Sequence, residues 1–344
     1  AFESTDAKLF DLLDVVAGLA RVPITLPPET LAMTGIGADQ PVTVSAEQTT
    51  VNGLLGDVLS PLRLQCVERG GIWRIERMGY QKRREAKYDV TDLVTPDTGT
   101  DTLAQWIRNL AQPDSWSTGG GQGTLELEGN VFRIEQTQQA HVDVLILLER
   151  LLLARNLPAK SRYPRARLSI ESPYTAMRPT LSQSATFTFL PWTPLREVFS
   201  HWQRTTGLIV LVDWHALADV QLRPESLVAG SQHSVSWEEA LDAFLAPLEL
   251  TWRAVDDHTI EITTRAAAAA QQSVEFYPVA DLVAQQSGGA EHLIASLERQ
   301  LHESVHVGAE ADRCHFVYDP VSGHLVVLGS AAVQRQLSAH LATL

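Results

Sequence analysis

Five consecutive residues, His302-Glu303-Ser304-Val305-His306, have types and spacing that could do chemistry. On a helix the two histidines lie one turn apart, where they could hold zinc, and the glutamate could act as general base on a metal-bound water. Four features oppose a metallopeptidase, the first being that the matching helix in the other half of the chain ends at Gln112-Pro113-Asp114, so the motif straddles a helix end. The extended form of the motif has a glycine where this chain has Ala309, its own glycine falling one residue early at Gly308. No third ligand is defined, although Glu310, Asp312 and His315 are near in sequence. A helix through Leu293, Ile294, Leu297 and Leu301 places both histidines opposite its apolar stripe, facing solvent.

Gly119-Gly120-Gly121-Gln122-Gly123 contains the GXXG spacing with which RNA-binding KH domains clamp a backbone. No Lys or Arg adjoins it and no Gly-Lys-Ser or Gly-Lys-Thr follows, so a flexible connection is expected. The basic runs Lys82-Arg83-Arg84 and Lys160 to Arg167 lie in linkers and read as a solvated hinge and a plain tether. The net charge of -14 also argues against nucleic acid, which is normally met by a basic surface. Cys66 and Cys314 are the only cysteines; a bridge between them stays open, but two lone thiols read first as small core residues. Of the tryptophans, Trp202, Trp237 and Trp252 read as core, whereas Trp192 and Trp214, beside Pro191 and His215, are candidates for a surface. No catalytic, cofactor-binding or metal residue is assigned, and the expectation is a non-enzymatic chain without a cofactor.

The elements that carry these residues repeat. Ser236 with Glu239 forms a capping box, and Leu241, Phe244, Leu245 and Leu248 then share a helical face. After Pro247 the pattern alternates, Leu248 to Trp252 and Thr259 to Ile262, as a β-hairpin does. Leu55, Leu59, Pro61, Leu62 and Leu64 match Leu241, Leu245, Pro247, Leu248 and Leu250 at one offset of 186 residues (55 to 241), and Leu9 and Leu31 keep it with Leu195 and Leu217. Self-similarity of this kind indicates a duplication.

A second kind of segment has a twin as well. Tyr88, Val90, Asp92, Leu93 and Val94 match Tyr277, Val279, Asp281, Leu282 and Val283 at an offset of 189 (88 to 277). Each opening strand leads to a helix, a strand pair and a closing helix, in the order β-α-β-β-α. The predicted fold class is therefore α+β, with four small modules at 1–78, 86–157, 184–265 and 274–344 and a linker at 158–183. Residues 27–40 read as a loop, 78–87 as a charged linker, and 265–273 as a tether that is helical as readily as looped. No apolar run approaches the roughly 20 residues that span a bilayer.

The helix, Pro-Leu-x-Leu and hairpin, preceded by Pro194-Leu195-Arg196-Glu197-Val198-Phe199, resembles the short secretin and TonB N-terminal (STN) domain; Lys8 and Phe10 replace Pro194 and Arg196 in the first half. The modules that open Tyr-x-Val-x-Asp-Leu-Val are similar to the KH-like periplasmic modules of secretins. That resemblance implies a bacterial periplasmic or cell-envelope location and soluble modules that bind protein partners such as envelope or secretion components, or self-associate. It implies neither nucleic acid nor membrane insertion by this chain. Channel and uptake activities are not implied, because no membrane β-barrel accompanies the modules, and any signal segment is expected to have been removed.

Overall fold

The structure, a computed structural model, describes residues 2–46, 50–79, 83–304 and 314–344. The first segment comprises β1 (Phe2–Lys8), α1 (Leu9–Ala20), β2 (Ile24–Thr25), α2 (Pro28–Thr34), β3 (Pro41–Ala46), α3 (Val51–Leu59), β4 (Leu64–Arg69) and β5 (Ile72–Arg77). Then come β6 (Arg84–Asp89), α4 (Thr100–Leu110), β7 (Thr124–Glu128), β8 (Val131–Gln136) and α5 (Gln138–Ala154). A separate helix, α6 (Pro173–Leu181), precedes β9 (Ser184–Pro194), α7 (Leu195–Thr206), β10 (Ile209–Val212), α8 (Trp214–Asp219), β11 (Leu227–Ser236), α9 (Trp237–Leu245), β12 (Leu250–Ala254) and β13 (Thr259–Thr264). The chain continues through α10 (Arg265–Ala270), β14 (Gln272–Pro278), α11 (Ala280–Gln285), α12 (Gly289–Glu303), β15 (His315–Asp319), β16 (His324–Ser330) and α13 (Ala331–Leu341).

Helix starts follow from local chemistry. The Thr50, Thr137, Asp213 and Ser330 side chains each accept an amide of the first turn, and Ser236 with Glu239 closes the full capping box. The segment 27–40 holds α2 and is not a loop throughout. Pro28 opens that helix, where its missing N–H is no loss, and Gly35 ends it at φ 73°. The linker 158–183 likewise holds α6, whose Met177 and Leu181 are buried, and the linker 78–87 gives way to β6 at Arg84.

The chain forms two compact units. One contains residues 1–80 and 173–268, the other 81–172 and 269–344, so each unit takes one segment from each half of the chain. In the first unit β1 pairs with β3 and β9 with β11 as antiparallel ribbons, and two three-stranded sheets run β2-β5-β4 and β10-β13-β12. In each three-stranded sheet the first pair is parallel and the second antiparallel. The halves share their cores: Ile209 and Leu211 complete the cluster around Leu9, Leu55 and Ile75, and Ile72 joins the one around Trp202 and Trp252. The Trp214 amide donates to Thr25 Oγ1 at 3.1 Å, and Arg253 bridges Glu29 and the buried Glu261, both at 2.6 Å.

The second unit is a stack of layers. Sheet β6-β8-β7 turns Phe132 and Ile134 onto α4 and α5. The far side of those helices meets Phe276, Val317, Val326 and Leu328 of sheet β14-β16-β15. The alternate residues Tyr277, Leu325 and Val327 face the other way, onto Leu293 and Leu297 of α12 and Leu337 of α13. Registers show why only one sheet has two apolar faces. Lys87 opposite Arg133 and Glu85 opposite Glu135 in the first sheet correspond to Phe276 opposite Val326 and Val274 opposite Leu328 in the second. The first sheet's outer face is instead a charged ladder, with Arg133 at 2.8 Å from Glu85 and Lys87 at 3.0 Å from Glu128. A polar outer face is what ends a stack of repeats.

Candidate protein-interaction surfaces

The two ribbons of the first unit differ in their bulges: β9–β11 has an additional one, at Ser234, and the larger difference lies near the other end of the ribbon. In β1–β3, Ser4 pairs with Val44 and Ala7 with Val42, so Thr5 and Asp6 stand opposite Thr43 alone. In β9–β11, Phe189 pairs with Gly230 and Thr193 with Val228, so Leu190, Pro191 and Trp192 stand opposite Ala229 alone. The second bulge is one residue longer and apolar where the first is polar. Pro191 has no N–H to give a ladder, and the bulge turns its neighbours outward: Trp192 is 67% and Leu190 48% exposed, with Leu227 at 63% near the same ribbon end. Leaving side chains of this size in water forgoes roughly 1.5–3 kcal/mol each. Contact with a partner recovers that stabilisation.

The ribbon that presents this bulge is held firmly. Phe187 packs 5.9 Å from Trp237 and 6.2 Å from Trp202, and Gly230 lets the Phe244 ring approach to where a Cβ would lie 2.7 Å from it. Trp202, Trp237 and Trp252 are core residues, as the sequence predicts. Trp214 is not a surface residue. Its amide donates to Thr25 Oγ1 and its ring packs 6.1 Å from Phe199, which leaves it 9% exposed.

The other sequence-derived candidates fall in different surroundings. His302 and Glu303 are exposed in the last turn of α12, and His302 Nδ1 lies 2.7 Å from the Glu298 carbonyl. Val305, His306, Gly308, Ala309, Glu310 and Asp312 lie outside the described residues. The glycine run is close-packed rather than a flexible connection. The amides of Gly119, Gly120, Gly121 and Gly123 donate to the carbonyls of Trp116, Ser117, Trp116 and Ser115, which turns them away from any phosphate. A Cβ on Gly121 would lie 2.2 Å from the Ser115 backbone, so only glycine fits. Arg83 Nη1 donates to the Gln122 carbonyl and Arg84 Nε to Gln138, while Lys82 lies outside the described residues. Cys66 and Cys314 are thiols in different units.

Sequence reasoning missed one polar cluster. His258 Nδ1 lies 2.6 Å from Asp257 and 3.3 Å from Asp256, and Nε2 lies 3.4 Å from Asp39 of the other half. Nδ1 hydrogen-bonds Asp257 while Nε2 makes no hydrogen bond, so it is the charge of the three surrounding carboxylates that favours the imidazolium form. Partial burial opposes the charge, but the carboxylates outweigh it and raise the pKa of His258. A raised histidine pKa adds stability that is complete below the ordinary value near about 6.5 and is lost as pH rises through the folded value. An NMR titration is expected to place His258 above its value in the unfolded chain, and Asp39→Asn is expected to lower that midpoint.

No family model and no curated protein matches the chain. Solved structures that it resembles include XcpQN012, at 18% identity over 47% of this chain and 65% of that one, with a TM-score of 0.18. A cysteine-mutant dimer of the N-terminal domain of the secretin XcpQ from Pseudomonas aeruginosa matches at 17% over 44% and 61%, TM-score 0.17. The N-terminal domain of the same secretin matches at 16% over 45% and 62%, TM-score 0.17. The match spans less than two thirds of each of these chains. Among the described residues no helix is long and apolar enough to cross a membrane.

Proposed function

We propose that this chain is a non-enzymatic protein-interaction or scaffolding module of the bacterial periplasm or cell envelope, built as a tandem duplication of an STN-like and a KH-like module. The observation that carries this reading is the outward Leu190-Pro191-Trp192 bulge on a ribbon anchored by aromatic packing. Large exposed aromatic and aliphatic side chains on a rigid base are the usual anchors of protein interfaces. The core motifs shared with secretin and TonB N-terminal modules support the location and the partner class.

The test uses the purified chain as bait in a bacterial envelope extract, beside Leu190→Ser/Trp192→Ser. Both side chains are solvent-exposed, so the double variant is expected to fold as the parent does. Envelope or secretion components should be retained by the parent and reduced at least about tenfold by the variant, the loss expected when anchor residues are truncated. Equal retention by both baits, or none by either, would overturn the reading.

A further inference from the structure

The face that sheet β10-β13-β12 turns toward the first half of the chain has a carboxylate among apolar neighbours. Ile209 and Leu211 of β10 stand on that face within the first half's apolar cluster, and their register partners on β13 are Thr259 and Glu261. Glu261 is 2% exposed. Its cation is Arg253 of β12, whose Nε lies 2.6 Å from Glu261 Oε2, while Nη2 of the same guanidinium lies 2.6 Å from Glu29 Oε1 of α2. One arginine therefore serves an acid from each half. A third acid, Asp213, follows β10, with its Oδ2 3.4 Å from Thr263 Oγ1 of β13, and among the described residues it has no ion pair. His215 of α8 brings no second cation at neutral pH, because burial and then Arg74 lower its pKa although Asp213 raises it.

The fold itself does not require a buried acid at this place. In the first half the residue in the same register is Arg74, which stands opposite Val67 as Glu261 stands opposite Arg253, and it is 35% exposed. Around Glu261 three carboxylates share one guanidinium, so negative charge is left over where water is excluded. A buried charge without a partner of its own takes up a proton instead. Burial raises the Glu261 pKa to about 7, with Glu29 and Asp213 adding to the rise and Arg253 opposing it.

We propose that Glu261 is a proton-operated clamp on the junction between the two halves of the first unit. Protonated, it leaves Arg253 to Glu29 and the contact between the halves is tight; ionised, it competes for Arg253, faces two further carboxylates, and the contact loosens. A carboxyl of this kind keeps a proton that the opened chain has released. The clamp is therefore strongest below the ordinary glutamate value near about 4.3, weakens as pH rises from there to the folded value, and is constant above it. His258, whose contact with Asp39 also joins the halves, titrates in the same direction. The inference goes beyond the interaction reading and does not depend on it.

Hydrogen exchange in the full chain reads the junction directly. The Trp214 amide donates to Thr25 Oγ1 across it, so the protection of that amide, corrected for the intrinsic rate, follows the contact. Protection is expected to fall roughly ten- to a hundredfold from about pH 5 to about pH 8, the loss that a carboxyl shifted from its ordinary value to about 7 produces. Glu261→Gln has nearly the same shape and no charge at any pH. The ratio of variant to parent protection should rise at least about tenfold over the same range. Both chains keep His258, so the ratio isolates Glu261 and is insensitive to any uniform effect of the substitution. A ratio that does not change with pH overturns the proposal.

Carboxyl NMR of the parent chain needs no substitution at the buried site. The Glu261 midpoint should lie at about 7. Glu29→Gln, at a position 37% exposed, should lower it by removing one negative neighbour and freeing Arg253 for Glu261. A Glu261 midpoint in the ordinary carboxylate range, or one that Glu29→Gln leaves unmoved, also overturns the proposal.

Discussion

Asp319→Ala is expected to cost the second unit about 3–5 kcal/mol, the usual penalty for removing one partner of a buried ion pair. Arg155 and Asp319 come from opposite halves of the chain, and their side chains are 2% and 0% exposed. The guanidinium grips the carboxylate through Nε at 2.9 Å and Nη2 at 2.7 Å, and two further donors go to the Leu93 carbonyl at 2.6 Å and Thr98 Oγ1 at 3.2 Å. Removing the carboxylate strands a charge that cannot return to water without opening the interface between the halves. Hydrogen exchange in β16 and urea unfolding both read the loss. Arg155→Met with Asp319→Leu should recover most of it, because neither charge is then buried alone.

The same pair sets an acid limit. Burial raises the Asp319 carboxyl, but hydrogen bonds from Arg155 and Ser322 outweigh burial and hold its pKa below the ordinary value. A depressed carboxylate pKa contributes stability that is complete above its unfolded value, near about 3.9, and is lost as pH falls through the folded value. The wild-type advantage over Asp319→Ala should therefore be constant near neutrality and shrink in acid.

The layered stack makes the second large prediction. Val326→Arg should destabilise the second unit by more than about 4 kcal/mol, whereas Arg133→Val at the corresponding position should change stability by less than about 1 kcal/mol. Val326 is 0% exposed in the apolar cluster that β16 forms with α4 and α5, where the Arg150 guanidinium already lies 4.7 Å from the ring of its cross-strand partner Phe276. Arg133 stands on the outer face of the first sheet, 43% exposed, beside Glu85, Glu126 and Glu128. Removing it costs only screened surface pairs. It also uncovers an apolar spot on a face that charge keeps from stacking, so weak concentration-dependent association should follow. Denaturation midpoints and sedimentation of the two variants measure both effects, and similar destabilisation by both would contradict the stack.

Much of the local structure was legible because it is local. Thr50, Ser236 and Glu239 satisfy helix amides within three residues, and the alternation of Leu250 and Trp252 against Ile260 and Ile262 needs only the period of a strand. Helix α2 escaped because two prolines read as a loop, although proline is at home in a first helical turn. Helix α6 escaped because its apolar residues are spread thinly around Pro179, and what makes it a helix is its packing against α9 and β12. The glycine run read as flexible because composition does not show that Ser115 leaves no room for a side chain.

The sequence by itself determined most element types, helices α2 and α6 apart, their recurrence at constant offsets and the α+β class, since capping, periodicity and turn chemistry act within a few residues. Only the tertiary structure decided that segments from the two halves share each unit, that Trp214 is buried while Trp192 is exposed, and that one sheet of the second unit is covered on both faces while the other keeps a charged face. Those outcomes depend on contacts between residues far apart in the chain, such as Arg155 with Asp319 and Arg253 with Glu29. A charge ladder reads the same in sequence whether it faces water or a partner layer. Burial in the assembled unit separates the two, because desolvation acts only where the layers close.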